Sequence, residues 1–247
     1  MYDINEQKFV VIAFATVSTL RDIVNDTCVT LQRDAIVEVA AVKIEKGSIQ
    51  GHCHSFIAID GYDAHNIEFD SGNYGAYGVR AEHLIGAPSL KEAIERLSSF
   101  IGDSILLVQS ASPNAHNPFT VFKDSAKDYG YCFNNSTIAL QDITAAYRLK
   151  NAMQSSGADL SETSVLQTAN MLADKRENWT DILADYDIYF DPENDDMSLR
   201  DRNDPLSWAL IFARLFIRLV DYGDEQDVID NAEIEVPFDG IDSDSEE

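Results

Sequence analysis

Two strand-forming runs, AIVEVAAVKI (Ala35 to Ile44) and GSIQGHCHSFIAI (Gly47 to Ile59), are joined by nothing longer than Glu45-Lys46-Gly47. So short a connection leaves one arrangement open, an antiparallel hairpin, because a parallel pair needs a crossover of a dozen or more residues. A third run, Phe9 to Phe14, is short, continuous and rich in Val and Ile, as in a buried strand that ends at a site. SLKEAIERLSSFIG reads as an amphipathic helix: Ser89 caps it, Leu90, Ile94, Leu97 and Ile101 form its apolar stripe, and Gly102 stops it.

A further strand, SILLVQS, follows, then a helix in NPFTVFKDSAKDYGY with Gly130 after its end. IALQDITAAYRLKNAM and TSVLQTANMLADK read as helices. The last strong helix is PLSWALIFARLFIRLVDYG, where Pro205 suits the first turn and Gly223 the stop. Three strands, a helix, a strand and more helices make an α/β domain with a mixed sheet.

Two regions fall outside this pattern. Glu177 to Arg202 is polar, acidic and aromatic, contains DPENDD, and reads as an inserted loop. From Asp224 to Glu247 acids dominate and the expected state is a disordered tail. The expected organisation is therefore one domain over residues 1–223, with an acidic insertion at about 177–202, and a tail over 224–247.

The chain has 247 residues, 45% of them hydrophobic, enough to bury a core. Its 18 Lys and Arg against 43 Asp and Glu give a net charge of −25. Such a chain repels polyanions at long range unless its few cations cluster, and the same charge also serves solubility. Cys28, Cys53 and Cys132 are odd in number and far apart, which fits neither a disulfide framework nor a CxxC site. MYDINEQKF has no signal-peptide character, and no apolar stretch approaches membrane length. The expectation is a reduced, cytoplasmic protein without a membrane partner.

Three stretches, taken in order, resemble the DEDDh 3′–5′ exonucleases, the group of the proofreading subunit of bacterial DNA polymerase III. RDAIVEVAAVKIEKGSI (Arg33 to Ile49) is similar to the family's second strand and hairpin. AYGVRAEHLIGAPSLKEAIERLSSFIGDSILLVQSAS is similar to its HG-I/T-x-x-x-L-x-x-A-P segment and the strand after it. NDPLSWALIFARLFIRL has the spacing of its last helix, H-x-A-x-x-D-A-x-x-x-A. The resemblance runs from about Phe9 to Leu219 and implies a ribonuclease-H-like fold, a mixed sheet flanked by helices.

It also implies a chemistry. Two Mg²⁺ or Mn²⁺ ions, roughly 3.5–4 Å apart, hold the scissile phosphate and activate a water. Such hard cations want carboxylates, and a D-x-E pair on one strand puts two of them on one face. The family adds a third Asp near a later strand, and a His general base and a last Asp on the final helix. Here Ala13 and Ala15 stand at the D-x-E positions, and Asn114, or Pro118 in the alternative alignment of its helix, stands at the third Asp. Asn203 stands at the His, Trp208 at the last Asp, and Tyr77 at the His of the HG pair. The expected protein has no intact catalytic residue, no metal and no other cofactor. Engineering would explain the two alanines and nothing else; natural loss explains all five site positions together.

Relieved of catalysis, the site gains stability by losing clustered carboxylates, and Trp208 is expected to fill the vacated cleft. Glu38, Asp34, Asp22, Asp26 and Asp204 are the acids from which a relocated site could be built. His52-Cys53-His54 is expected on a partly exposed strand, with the two His on one face and Cys53 on the other. Three functions follow in order of preference. The first is a non-catalytic module binding a protein partner, a basic one by charge, with nucleic acid bound weakly or not at all. The second is a divergent metal-dependent exonuclease with relocated ligands. The third is an acidic decoy that imitates nucleic acid.

Overall fold

The computed structural model describes residues 6–22, 27–69, 79–111, 117–156, 179–188 and 204–220. Six strands form one sheet: β1 (Lys8–Asp22), β2 (Thr27–Glu45), β3 (Ser48–Phe56), β4 (Ile67–Phe69), β5 (Ile105–Val108) and β6 (Thr137–Ala139). Their order is β3-β2-β1-β5-β6, with β4 paired to the far end of β1. The β1–β2 and β2–β3 pairs are antiparallel, and β1–β5 and β5–β6 are parallel. Helices α1 (Leu90–Ile101), α2 (Pro118–Asp128), α3 (Leu140–Ser156), α4 (Trp179–Ala184) and α5 (Pro205–Leu219) complete the fold. This is the α/β, ribonuclease-H-like architecture.

The β2–β3 hairpin turns on Lys46 and Gly47, at φ 52° and 73°, flanked by the pair Glu45–Ser48. Two left-handed residues in succession match the right-handed twist of the strands, and Gly47 takes its place there without steric cost. Strand β1 does not end at Phe14. It runs on to Asp22 with β-branched Thr16, Val17 and Thr19, and pairs with the lengthened β2 across two register shifts.

Alternation along β1 divides the core. Val10 and Ile12 pack with Ile94 and Leu97 of α1 and Phe122 of α2. Phe9 and Val11 face the other way, onto Phe212, Leu215 and Phe216 of α5. A strand buried on both faces has no polar side to show, which is why the run reads as continuously apolar.

The N-terminus of α1 carries a reciprocal cap. The Ser89 hydroxyl accepts from the Glu92 N–H at 3.3 Å, and the Glu92 carboxylate accepts from the Ser89 N–H at 2.8 Å. The Ser89 N–H and then its hydroxyl hold the Glu92 carboxyl below the ordinary Glu range. That contribution is complete above the ordinary range and is lost as the pH falls through the lowered value. Ser89→Ala should cost about 1 kcal/mol, and Glu92→Gln should flatten the acid side of the stability profile; thermal melts across roughly pH 3 to 7 check both.

The acidic segment expected as an inserted loop begins with α4 instead. Among its acids stand Trp179, Ile182, Leu183, Tyr186 and Ile188, and Leu183 and Ile188 are buried in the α5 side of the core. These apolar residues outweigh the local charge by packing on α5. The last helix ends at Leu219, with Val220 as its C-cap, ahead of the stop read at Gly223. The helix expected in TSVLQTANMLADK and the tail over 224–247 lie outside the described residues. No helix among the described residues is long and apolar enough to cross a membrane.

Candidate functional site

Where the parallel pairing of β1 with β5 ends, at Ile12 and Val108, the two strands part around a cavity of about 170 Å³. In open α/β sheets ligands bind beyond the carboxyl ends of the parallel strands, here the end of β5. Ala13 comes from β1, Gln109 and Ser110 from the end of β5, and Pro118 and Phe119 from the first turn of α2. Trp179 of α4 and Pro205, Trp208 and Phe212 of α5 close the far side. The Trp179 ring meets Phe212 edge-on at 4.8 Å, and Trp208 lies tilted against the same ring at 5.2 Å. Trp208 is half-buried and walls the cleft, leaving the cavity open beside it; the cleft is not filled as expected.

Asn117 fixes one rim. Its side-chain oxygen accepts from the N–H of Phe119 (2.9 Å) and Thr120 (3.3 Å), and its amide nitrogen donates to the Ser110 carbonyl (3.0 Å). One side chain thus caps α2 and ties it to the end of β5. Asp204 does the same work at α5: its carboxylate accepts from the N–H of Ser207 at 2.9 Å and from the Ser207 hydroxyl at 2.7 Å.

Ala15 is elsewhere. It is 0% exposed, in a cluster with Val17, Val37, Ile59, Val79 and Leu84. Its partner across the strands is Glu38, also 0% exposed. The Glu38 carboxylate pairs with His54 Nε2 at 2.6 Å, and His54 in turn meets the edge of Phe56, on which His83 stacks at 5.1 Å. A buried carboxylate requires such a partner. His52 and His54 do share a face of edge strand β3, and Cys53 points the other way, into the α1 side of the core, where burial pushes its thiol up against the opposing pull of Arg96.

No protein-family profile matches the chain, and no curated protein sequence matches it. Solved structures match its fold. A structure of cell-death related nuclease 4 superposes with a TM-score of 0.52 at 10% identity, over 89% of this chain and 65% of that one. A structure of a 3′-exonuclease in 3′-end specific recognition of a histone mRNA stem-loop does so with a TM-score of 0.55 at 10% identity, over 90% of this chain and 67% of that one. The fold is that of the 3′-exonucleases. A full-length 3′-exonuclease also matches, at a TM-score of 0.50 and 9% identity, over 87% of this chain and 82% of the other.

On this exonuclease fold the residues singled out in the sequence separate. Ala13, Trp208 and Pro118 line one cavity. Ala15 and Glu38 belong to the core beside it. Asn114, Asn203, Tyr77 and Asp26 lie outside the described residues; Asp22 and Asp34 lie in β1 and β2. Asp204 is committed to capping α5. The described lining of the cleft offers two amides, Gln109 and Asn117, the Ser110 hydroxyl and apolar surface, with no carboxylate and no imidazole, and does not fit a pair of hard divalent cations. Among the described residues no group of three or more His, Cys, Asp and Glu is placed to hold a metal. The sequence reading missed Trp179 and Phe212 as cleft residues; an aromatic inside the acidic segment was the available signal for the first.

Proposed function

We propose that this chain is a non-catalytic exonuclease-fold protein that serves as a protein-interaction or regulatory module. The observation that supports this reading is the described lining of the cleft, where Ala13, Pro118 and Trp208 stand and no carboxylate does. A net charge of −25 favours a basic protein partner and opposes polyanions. Nucleic acid is bound weakly or not at all, because no metal bridges the protein to phosphate and few counterions are released.

Calorimetric titration with Mn²⁺, run beside a nuclease assay on a short single-stranded oligonucleotide, tests the reading. The expected result is no saturable heat at the cleft and no hydrolysis. Fluorescence anisotropy with the same oligonucleotide, at about 150 mM salt where screening acts over roughly 8 Å, should show binding weaker than micromolar. Metal-dependent hydrolysis would overturn the reading.

A further inference from the structure

We propose that the vacated cleft is a binding site for an uncharged aromatic ring. This deepens the non-catalytic reading and rests on it. Size is the first argument: the cavity measures about 170 Å³, and an apolar protein cavity of about 150 Å³ takes up benzene. The walls are the second. Trp179, Trp208 and Phe212 already stand edge-on and tilted to one another at 4.8 and 5.2 Å, the arrangements that ring quadrupoles favour, and Phe119 and Pro118 face them. An inserted ring continues the cluster.

Chemistry argues against a charged ligand. Among the described lining residues none is charged, so a phosphate or carboxylate entering the cavity would lose its water without a counter-charge. Asn117, the amide at the rim, spends its oxygen on two N–H groups of α2 and its nitrogen on the Ser110 carbonyl. Gln109 and Ser110 leave one polar edge at the end of β5, and the rest of the described lining is apolar and mostly aromatic. Such a ring comes either free, as a small aromatic molecule, or on a Phe side chain of a protein, and the test separates the two.

Tryptophan emission reads the site directly, since the chain has two tryptophans, Trp179 and Trp208, and both line the cavity. The full chain is titrated with toluene, with N-acetylphenylalanine amide and with dAMP. The expected result is a saturable change in emission with an uncharged probe and a rise in Tm of a few degrees. Ala13→Leu, which grows into the cavity from β1, should weaken that binding at least tenfold without lowering Tm; Ala13→Val, a smaller change, serves if the leucine variant fails to fold. Tighter binding of the amide assigns the ring to a protein, and tighter binding of toluene to a free molecule. No saturable change, equal affinity in the folded Ala13 variants, or preference for dAMP over both uncharged probes would overturn the proposal. Metal-dependent nuclease activity of the same preparation would instead fell the non-catalytic reading, so the two failures are distinguishable.

Discussion

Ala15→Glu should leave the protein unfolded or close to it. The alanine is 0% exposed among apolar residues, and Glu38, equally buried, is its directly opposite partner on β2. Cβ atoms of opposed residues lie about 4.5–5.5 Å apart, so the substitution sets two carboxylates together where water does not reach. Adding three heavy-atom shells of side chain to a packed site strains it as well. A loss of about 4 kcal/mol or more is expected, against a total stability of about 5–15 kcal/mol for a domain. Ala13→Asp, facing the cavity, should cost about 1–2 kcal/mol by comparison. Urea midpoints compare them, and equal losses would contradict the distinct surroundings of the two alanines. Ala13→Asp, which keeps the fold, should hydrolyse no oligonucleotide, since residues that act as a unit are not restored piecemeal; metal-dependent activity in it would place the rest of a working site in this cleft.

His54→Ala is the second large effect, a loss of about 2–3 kcal/mol. The Glu38 carboxylate is fully buried and accepts the 2.6 Å contact from His54 Nε2, while the imidazole is itself 29% exposed. Removing one partner of a buried charge costs more than the contact contributes, because the charge stays behind. The exposure of His54 keeps the figure below that for a wholly buried pair. Replacing both residues with leucine should recover most of the loss, since a buried pair exchanged for apolar packing is often neutral or stabilising. A thermal-melt double-mutant cycle over His54→Leu and Glu38→Leu measures the coupling; additive losses would show that the contact does not hold the carboxylate.

This pair also marks where sequence reading stops. The EKG turn, the Ser89 cap and the α1 stripe are local patterns, and each is found where its residues predict. The face on which His54 sits is not local. Counting back from the Glu45–Ser48 pair in perfect register sets His54 opposite Val39, on the α1 side. The structure leaves Gln50 unpaired between Ile49 and Gly51, so His54 lies across from Ala40 and reaches Glu38 diagonally. One extra residue in β3 thus exchanges the faces of His54 and Cys53. The split between Ala13 and Ala15 is hidden for a similar reason: a D-x-E spacing puts both on one face, but what covers each is decided by elements far away in the chain. Helix α4 escaped notice because acids dominate its neighbourhood, although its apolar residues decide where it packs.

The cavity is assembled from β1, the end of β5, the start of α2, α4 and α5, pieces that run from Ile12 to Phe212. Folding must therefore close loops across most of the chain before this one place exists, and such distant contacts form slowly. The β1–β2–β3 meander, by contrast, can pair from neighbours alone. On a ribosome the first three strands would emerge long before the helix that bears Trp208. Both tryptophans should then be the late reporters of refolding, reaching their native emission only with the arrival of α5, after backbone signals from the meander have settled.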